Sequence, residues 1–460
     1  MGKSEALANV RAYLADGRFE AELRRRVAIE SDSQTAEKAD QLLQYLEQEL
    51  SPSLIKLGFS VRIMANPKGA GPILVAHRHE SDDLPTVLTY GHGDVVPGHD
   101  LQWRDGLSPW SLQIEGDRWY GRGTADNKGQ HSINLVALEQ VIQAREGRLG
   151  FNLKAIFETG EERGSVGLRE FCEEQADLLS ADVFLASDGP RLNAAQPTLF
   201  LGSRGTALFS LEVVSRESGL HSGNWGGVME NPAIVLANAL ACLVDGKGKL
   251  LCRDLTPGGI PEDVRAAIAD LEISQRTLGL ALNENWGEPD LSYGERLFGW
   301  NTLEVLALDS GNPQKPVNAI PPRAKAFCNL RFVLGTQWER LETALRQYLD
   351  AHGFEQVRIH VDRITPATRL DLGNPWIAVV KDAISKVSSQ KIALIPNLAG
   401  TVPNDIFADV LGLPTIWVPH SYPGCSQHAP NEHMLAPVIQ EGLDIMTSIF
   451  WELGEMARNT

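Results

Sequence analysis

Apolar residues along this chain fall into distinct textures, and each predicts a different kind of element. At 34–50, Ala39, Leu42, Leu43, Leu46 and Leu50 recur at helical spacing behind polar Ser33 and Thr35, which predicts a helix. Short apolar runs follow at 73–75, 87–88, 153–157 and 183–186, the pattern of parallel strands buried on both faces. Helices are predicted between them at 131–145, with Ile133, Val136, Leu138, Val141 and Ile142, and at 165–179. Strand and helix alternate, so the first ~200 residues predict an α/β fold: a mixed, mostly parallel sheet flanked by helices.

From Gly202 the texture changes. Residues 205–215 and 324–333 alternate apolar and polar with period two, as strands with one solvated face do, and helices are expected at 231–244 and 337–351. The α/β texture then resumes with a helix at 375–387, a strand at 415–418 and a closing helix at 436–454. The expected division is one α/β domain in two parts, 1–203 and 368–460, split around an inserted α+β unit at 204–367.

Composition narrows the class. The 460 residues carry 42 Lys+Arg against 59 Asp+Glu, a net charge of −17 without a concentrated basic patch, so neither nucleic acid nor an anionic membrane is an expected partner. No apolar run approaches the roughly 20 residues that span a bilayer. The opening stretch mixes charges throughout and has Ala6 where a myristoylation signal needs Ser or Thr. Cys172, Cys242, Cys252, Cys328 and Cys425 are odd in number and scattered, which argues against a disulfide framework or a thiolate zinc site. A cytoplasmic protein is expected, and any metal falls to histidine and carboxylate.

Ligands in open α/β sheets bind beyond the carboxyl ends of the strands. After the predicted strands come Gly91-His92-Gly93-Asp94, Glu158-Thr159-Gly160-Glu161-Glu162, Ser187-Asp188-Gly189 and the loop reaching Gln427-His428, while 120–129 places Asp126 just before a helix. A His-x-Asp triplet alone arises easily among 11 histidines and 59 acids, and a Glu-Glu pair is commonly a solvated face. Convergence from four strands is what gives these residues weight. His92, Asp126, Glu162, Asp188 and His428 suit zinc or a similar divalent ion, and five ligands exceed what one tetrahedral ion takes, so two metals bridged by one carboxylate are expected. Asp94 could orient the His92 ring by accepting its other N–H, and Glu161 could act as general base toward a metal-activated water. The remaining histidines, His420 and His433 included, are read as structural or surface. The glycines at 121–129 lack a phosphate-loop spacing.

These motifs, His92-x-Asp94, Tyr-Gly-Arg-Gly-Thr-Ala-Asp-Asn-Lys-Gly at 120–129, Glu-Thr-Gly-Glu-Glu-Arg-Gly-Ser at 158–165 and Ser187-Asp188, resemble the co-catalytic di-zinc peptidases and deacylases that include carboxypeptidase G, acetylornithine deacetylase and aminoacylase. Gly219-Leu220-His221-Ser222-Gly223-Asn224-Trp225-Gly226-Gly227, Asn318-Ala319-Ile320-Pro321 and Asn329-Leu330-Arg331 are similar to lid segments of the cytosolic and carnosine dipeptidase branch. The resemblance implies that Asp126 bridges two zinc ions, with manganese or cobalt as alternatives, one ion completed by His92 and Asp188 and the other by Glu162 and His428. It implies Glu161 as general base, a homodimer through the lid, His221 reaching the partner's site with Asn318 beside it, and Arg331 on the substrate carboxylate. Asn397-Leu398-Ala399-Gly400-Thr401 departs from the branch's Arg-Glu-Gly-Gly-Ser segment, and only Gly400 and Thr401 fit its substrate-binding pattern. The implied activity is hydrolysis of amide bonds in dipeptides, as a dipeptidase or carboxypeptidase. A deacylase of N-acyl amino acids would use the same centre, and a non-catalytic scaffold would be expected to have lost ligands that are intact here.

Overall fold

A computed structural model describes residues 2–278 and 281–456; Met1 and the last four residues, at the outer limits of the expected division, lie outside them. Its centre is an eight-stranded sheet, in the order Ser60–Met64, Ile73–Arg78, Asn152–Glu158, Thr86–His92, Val183–Ala186, Thr415–Trp417, Thr198–Phe200 and Ala393–Ile395. The four strands from Asn152–Glu158 to Thr415–Trp417 pair in parallel. Ser60–Met64, Ile73–Arg78 and Thr198–Phe200 bring in antiparallel pairings, so the sheet is mixed, as expected.

The continuous apolar runs are explained by burial on both faces. Leu74 and Ala76 enter one core cluster with helices Lys3–Ala15, Lys128–Ala144 and Ala436–Met456, while Ile73 and Val75 enter another beside Leu168–Glu174. A second, four-stranded antiparallel sheet runs Thr302–Asp309, Arg323–Phe332, Gly205–Val214, Arg358–Thr365. One face of it packs on helices Pro232–Leu243 and Leu341–Ala351 to form a third core.

Two predicted helices differ in extent from their patterns. The helix expected at 34–50 begins at Ala39, after a tight turn at Ala36–Lys38, and continues through an i→i+5 turn at Leu46–Leu50 into Ser51–Lys56. The helix expected at 165–179 begins only at Leu168, because Ser165 and Gly167 take left-handed conformations, and it breaks at Gln175. Among the described residues no helix is long and apolar enough to cross a membrane, and the five cysteines are free.

Candidate metal centre

Each candidate ligand stands at the carboxyl edge of the large sheet or on a loop held against it. His92 ends the strand Thr86–His92, Asp188 follows Val183–Ala186 by two residues, and Glu161 and Glu162 open a short turn after Asn152–Glu158. Asp126 lies just before helix Lys128–Ala144, where a Cβ on Gly129 would overlap the Thr124 carbonyl oxygen, so the tight approach of loop to helix requires glycine. His428 is held at φ 61° in the loop after Thr415–Trp417.

The shared member is Asp126, 4% exposed. Its Oδ1 lies 2.9 Å from His92 Nε2, and its Oδ2 lies 3.0 Å from His428 Nε2 and also accepts from the Gln427 amide. Two overlapping triads result, His92–Asp126–Asp188 and Asp126–Glu162–His428, and in each the donor atoms lie within 4.8 Å of one another. Asp188 Oδ2 is 3.7 Å from His92 Nε2, and Glu162 Oε2 is 3.1 Å from His428 Nε2. Glu162 Oε1 is buried with no hydrogen-bond partner, an orphaned oxygen in the middle of a ligand set.

Without a cation the charges distort one another. Burial, and then the Asp126 charge, push Glu162 up to about 7 and Asp188 up to about 6. Burial also raises Glu161, with Glu162, Asp188 and Asp126 adding to it against the opposing pull of His92. Hydrogen bonds to Asp126 and Glu162 raise His428 to about 11. Burial works against ionising both Asp126 and His92, but their hydrogen bonds win, holding Asp126 well below and His92 well above the ordinary values.

Asp94 accepts the His92 ring N–H chiefly through its main chain. His92 Nδ1 meets the Asp94 main-chain carbonyl at 3.0 Å, whereas the carboxylate oxygen is 3.5 Å away. A carbonyl only accepts, so Nδ1 carries a proton and Nε2 is the atom left to face a metal. The Asp94 carboxylate instead accepts the backbone N–H groups of Glu161 (3.2 Å) and Glu162 (3.1 Å), pinning the turn that carries both acids.

Sequence reading missed one residue of this centre. Glu432, 1% exposed, accepts N–H bonds from Ala125 (2.9 Å) and Asp126 (3.1 Å) at one oxygen, and from Gly123 (3.1 Å) and the buried Arg122 guanidinium (2.8 Å) at the other. It ties the Asp126 loop to the loop of His428. The available signal was its place four residues after His428.

Two cavities open on the cluster. One, about 470 Å³, is lined by Asp126, Glu161, Asp188 and His428 together with Arg331, Gly400 and Thr401. The other, about 640 Å³, shares Glu161, Arg331, Thr401 and His428 and adds Glu162. Arg331 donates to Thr401 Oγ1 at 2.7 Å and has no carboxylate partner among the described residues. Behind it, Arg204 is spent on the carbonyls of Ala399 and Trp300. His221 and Asn318 lie elsewhere, exposed on the short ribbon Leu220–His221 with Ala319–Ile320, and line neither cavity. Asn397 is buried and donates to the Thr368 carbonyl at 2.7 Å. His420 and His433 join neither triad; His433 bonds Tyr422, and both ring nitrogens of His420 are buried without partners among the described residues.

The model of Peptidase family M20/M25/M40 matches residues 88–452, a span that holds every candidate ligand. The chain belongs to that family. It is similar to the Beta-Ala-His dipeptidase of Rattus norvegicus, 26% identical over 403 residues, 84% of this chain and 80% of the rat protein. It is also similar to the Cys-Gly metallodipeptidase DUG1 of Saccharomyces cerevisiae, 27% identical over 342 residues and 70% of each chain. Among solved structures, the M20 family metallo-carboxypeptidase Sso-CP2 from Sulfolobus solfataricus superposes with a TM-score of 0.81 at 26% identity, over 95% of this chain and 99% of that one. Human carnosine dipeptidase 1 shares the fold, with a TM-score of 0.79 over 99% of this chain and 100% of its own. The family and fold class expected from the motifs are thus those found, and the chain is a metallopeptidase-family member.

Proposed function

We propose that this protein is a cytoplasmic, homodimeric di-metal hydrolase of amide bonds in dipeptides, with residues 204–367 as its lid. The observation that carries the reading is the pair of three-ligand sets sharing Asp126, open to cavities that also hold Glu161 and the guanidinium of Arg331, which has no carboxylate partner among the described residues. His92 and Asp188 would hold one cation and Glu162 and His428 the other. Imidazole and carboxylate donors suit zinc, with manganese or cobalt as substitutes. Bound there, such a pair would supply Lewis-acid polarisation of the scissile carbonyl and an activated water.

The chain's own groups do the rest. Glu161 takes a proton from the attacking water and returns it to the leaving nitrogen, Arg331 with Gly400 and Thr401 holds the substrate carboxylate, and Asp94 keeps Glu161 in place. His221 and Asn318, exposed and outside the cavities, are assigned to the partner's site. In support of the dimer, the strand Thr302–Asp309 forms a sheet edge with Val305, Leu306 and Leu308 exposed, a surface that a second copy would cover.

The test is turnover of a panel of dipeptides and N-acyl amino acids by zinc-loaded protein. Dipeptides should be cleaved, and Arg331→Ala should raise KM by about 10–200-fold while moving kcat little, as expected for a lost charge-assisted contact. Turnover of acylated amino acids alone would overturn the dipeptidase reading in favour of a deacylase.

Metal removal gives a second expectation. Glu162 and Asp188 hold protons more tightly in the folded, metal-free protein than when unfolded, so their contribution to stability is present below their unfolded values and is lost as pH rises through about 6 to 7. A dication takes only the deprotonated forms, so the rise in Tm on adding zinc should grow from about pH 5 to about pH 8. At a hundredfold excess over Kd the linkage is worth about 2.7 kcal/mol. Thermal melts with zinc and with chelator at both pH values check this, and a metal shift no larger at the higher pH contradicts the carboxylate ligand set.

A further inference from the structure

The two cavities beside the cluster differ sharply in chemistry. The larger carries charge along its walls, with Lys68, Arg169, Glu170, Arg363 and Asp405. The smaller is walled by Leu192, Leu297, Phe298, Ile395, Leu398 and Val402. Apart from the cluster itself and Arg331, its one charged lining residue is Arg191, whose guanidinium is turned onto Glu441 and the Pro419 carbonyl. Three separate stretches of chain build this apolar wall. Leu192 follows the strand Val183–Ala186, Leu297 and Phe298 close the helix Tyr293–Phe298, and Leu398 and Val402 flank the 399–401 segment. Phe298 is 4% exposed and Leu398 7%, so both side chains are set in place before any ligand arrives.

Arg331 and Thr401 line this chamber together with Asp126, Glu161, Asp188 and His428. A carboxylate held by Arg331 puts the side chain on the same α-carbon within reach of the apolar wall, since the two groups are separated by a single carbon. At about 470 Å³ the chamber is large enough for a leucine or phenylalanine side chain, and its wall is apolar except at Arg191, whose charge Glu441 already pairs.

We propose that this chamber is the subsite for a bulky apolar side chain on the carboxylate-bearing residue, which makes the substrates amides of leucine- or phenylalanine-like amino acids. The proposal rests on the amide-hydrolase reading above and deepens it, applying equally whether the other half is an aminoacyl or an acyl group. Leu398 and Phe298 are then specificity-determining residues, and charge introduced at Leu398 removes the preference.

Two measurements test it. In turnover by the zinc-loaded protein, Ala-Phe and Ala-Leu should exceed Ala-Ala and Ala-Glu by about 10–200-fold in kcat/KM, mainly through KM. Leu398→Glu should level that series, and Phe298→Ala should weaken Ala-Leu more than Ala-Ala. A flat series, a preference for charged residues, or a preference seen only in the reversed Phe-Ala and Leu-Ala peptides overturns the proposal while leaving amide hydrolysis standing. Calorimetric binding of free phenylalanine, leucine and alanine to the zinc-loaded wild-type protein decides the matter without turnover. Phenylalanine or leucine should bind at least about tenfold tighter than alanine, and equal affinities overturn the subsite. Absence of any amide turnover would count against the hydrolase reading alone, because the binding comparison still reads the chamber.

Discussion

Replacing Glu161 by Gln is expected to lower kcat for dipeptide hydrolysis by about 10²–10⁴-fold, the range a positioned general base supplies, with bound metal and KM little changed. Glu161 lines both cavities beside the two ligand triads but belongs to neither. That place, beside the ligands without being one, suits a group that takes a proton from water and returns it to the leaving nitrogen. Glutamine keeps the shape and the backbone bond to Asp94 but removes the basic oxygen. Steady-state kinetics with metal analysis of the same sample check the outcome. The neighbouring Glu162→Gln should lose metal instead, because Glu162 supplies an oxygen to the Asp126–Glu162–His428 set and its Oε1 is buried without a partner among the described residues. If Glu161→Gln also loses metal in proportion to rate, Glu161 is a ligand and the assignment fails.

The contrast between these adjacent acids shows what the sequence makes legible. Strands buried on both faces read as unbroken apolar runs, so their ends could be located, and the residues just beyond them, His92, Glu161, Glu162 and Asp188, follow from topology. Elements with narrow or solvated faces are harder to see. The helix Lys3–Ala15 buries only Ala6, Val10 and Tyr13, and the strand Arg358–Thr365 presents charged residues between Ile359, Val361 and Ile364. Neither pattern stands out from a loop until a neighbouring surface exists. Contacts made by main-chain atoms are invisible for another reason: an Asp94 carbonyl that orients His92 looks the same in sequence as any other carbonyl. Glu432 stands only four residues after His428, yet its meaning lies in N–H groups some 300 positions away.

Glu432→Ala is expected to cost about 3–5 kcal/mol of stability and to weaken metal binding by about 10–100-fold. The stability loss follows from Arg122, which pairs with Glu432 while both side chains are 1% exposed, so truncation leaves an uncompensated buried cation. The N–H groups of Gly123, Ala125 and Asp126 lose their acceptor at the same time. The metal effect has a separate cause, because one carboxylate fixes the spacing between the loop of the shared Asp126 and the loop of His428. Arg122→Met combined with Glu432→Gln separates the two. Removing the cation should restore most of the stability, measured by denaturant unfolding of the metal-free protein, but should not restore zinc affinity measured by competition with a chelator. If affinity returns with stability, Glu432 supports the fold alone. If a folded Glu432→Gln protein binds zinc like the parent, the tie between the loops does not position the ligands.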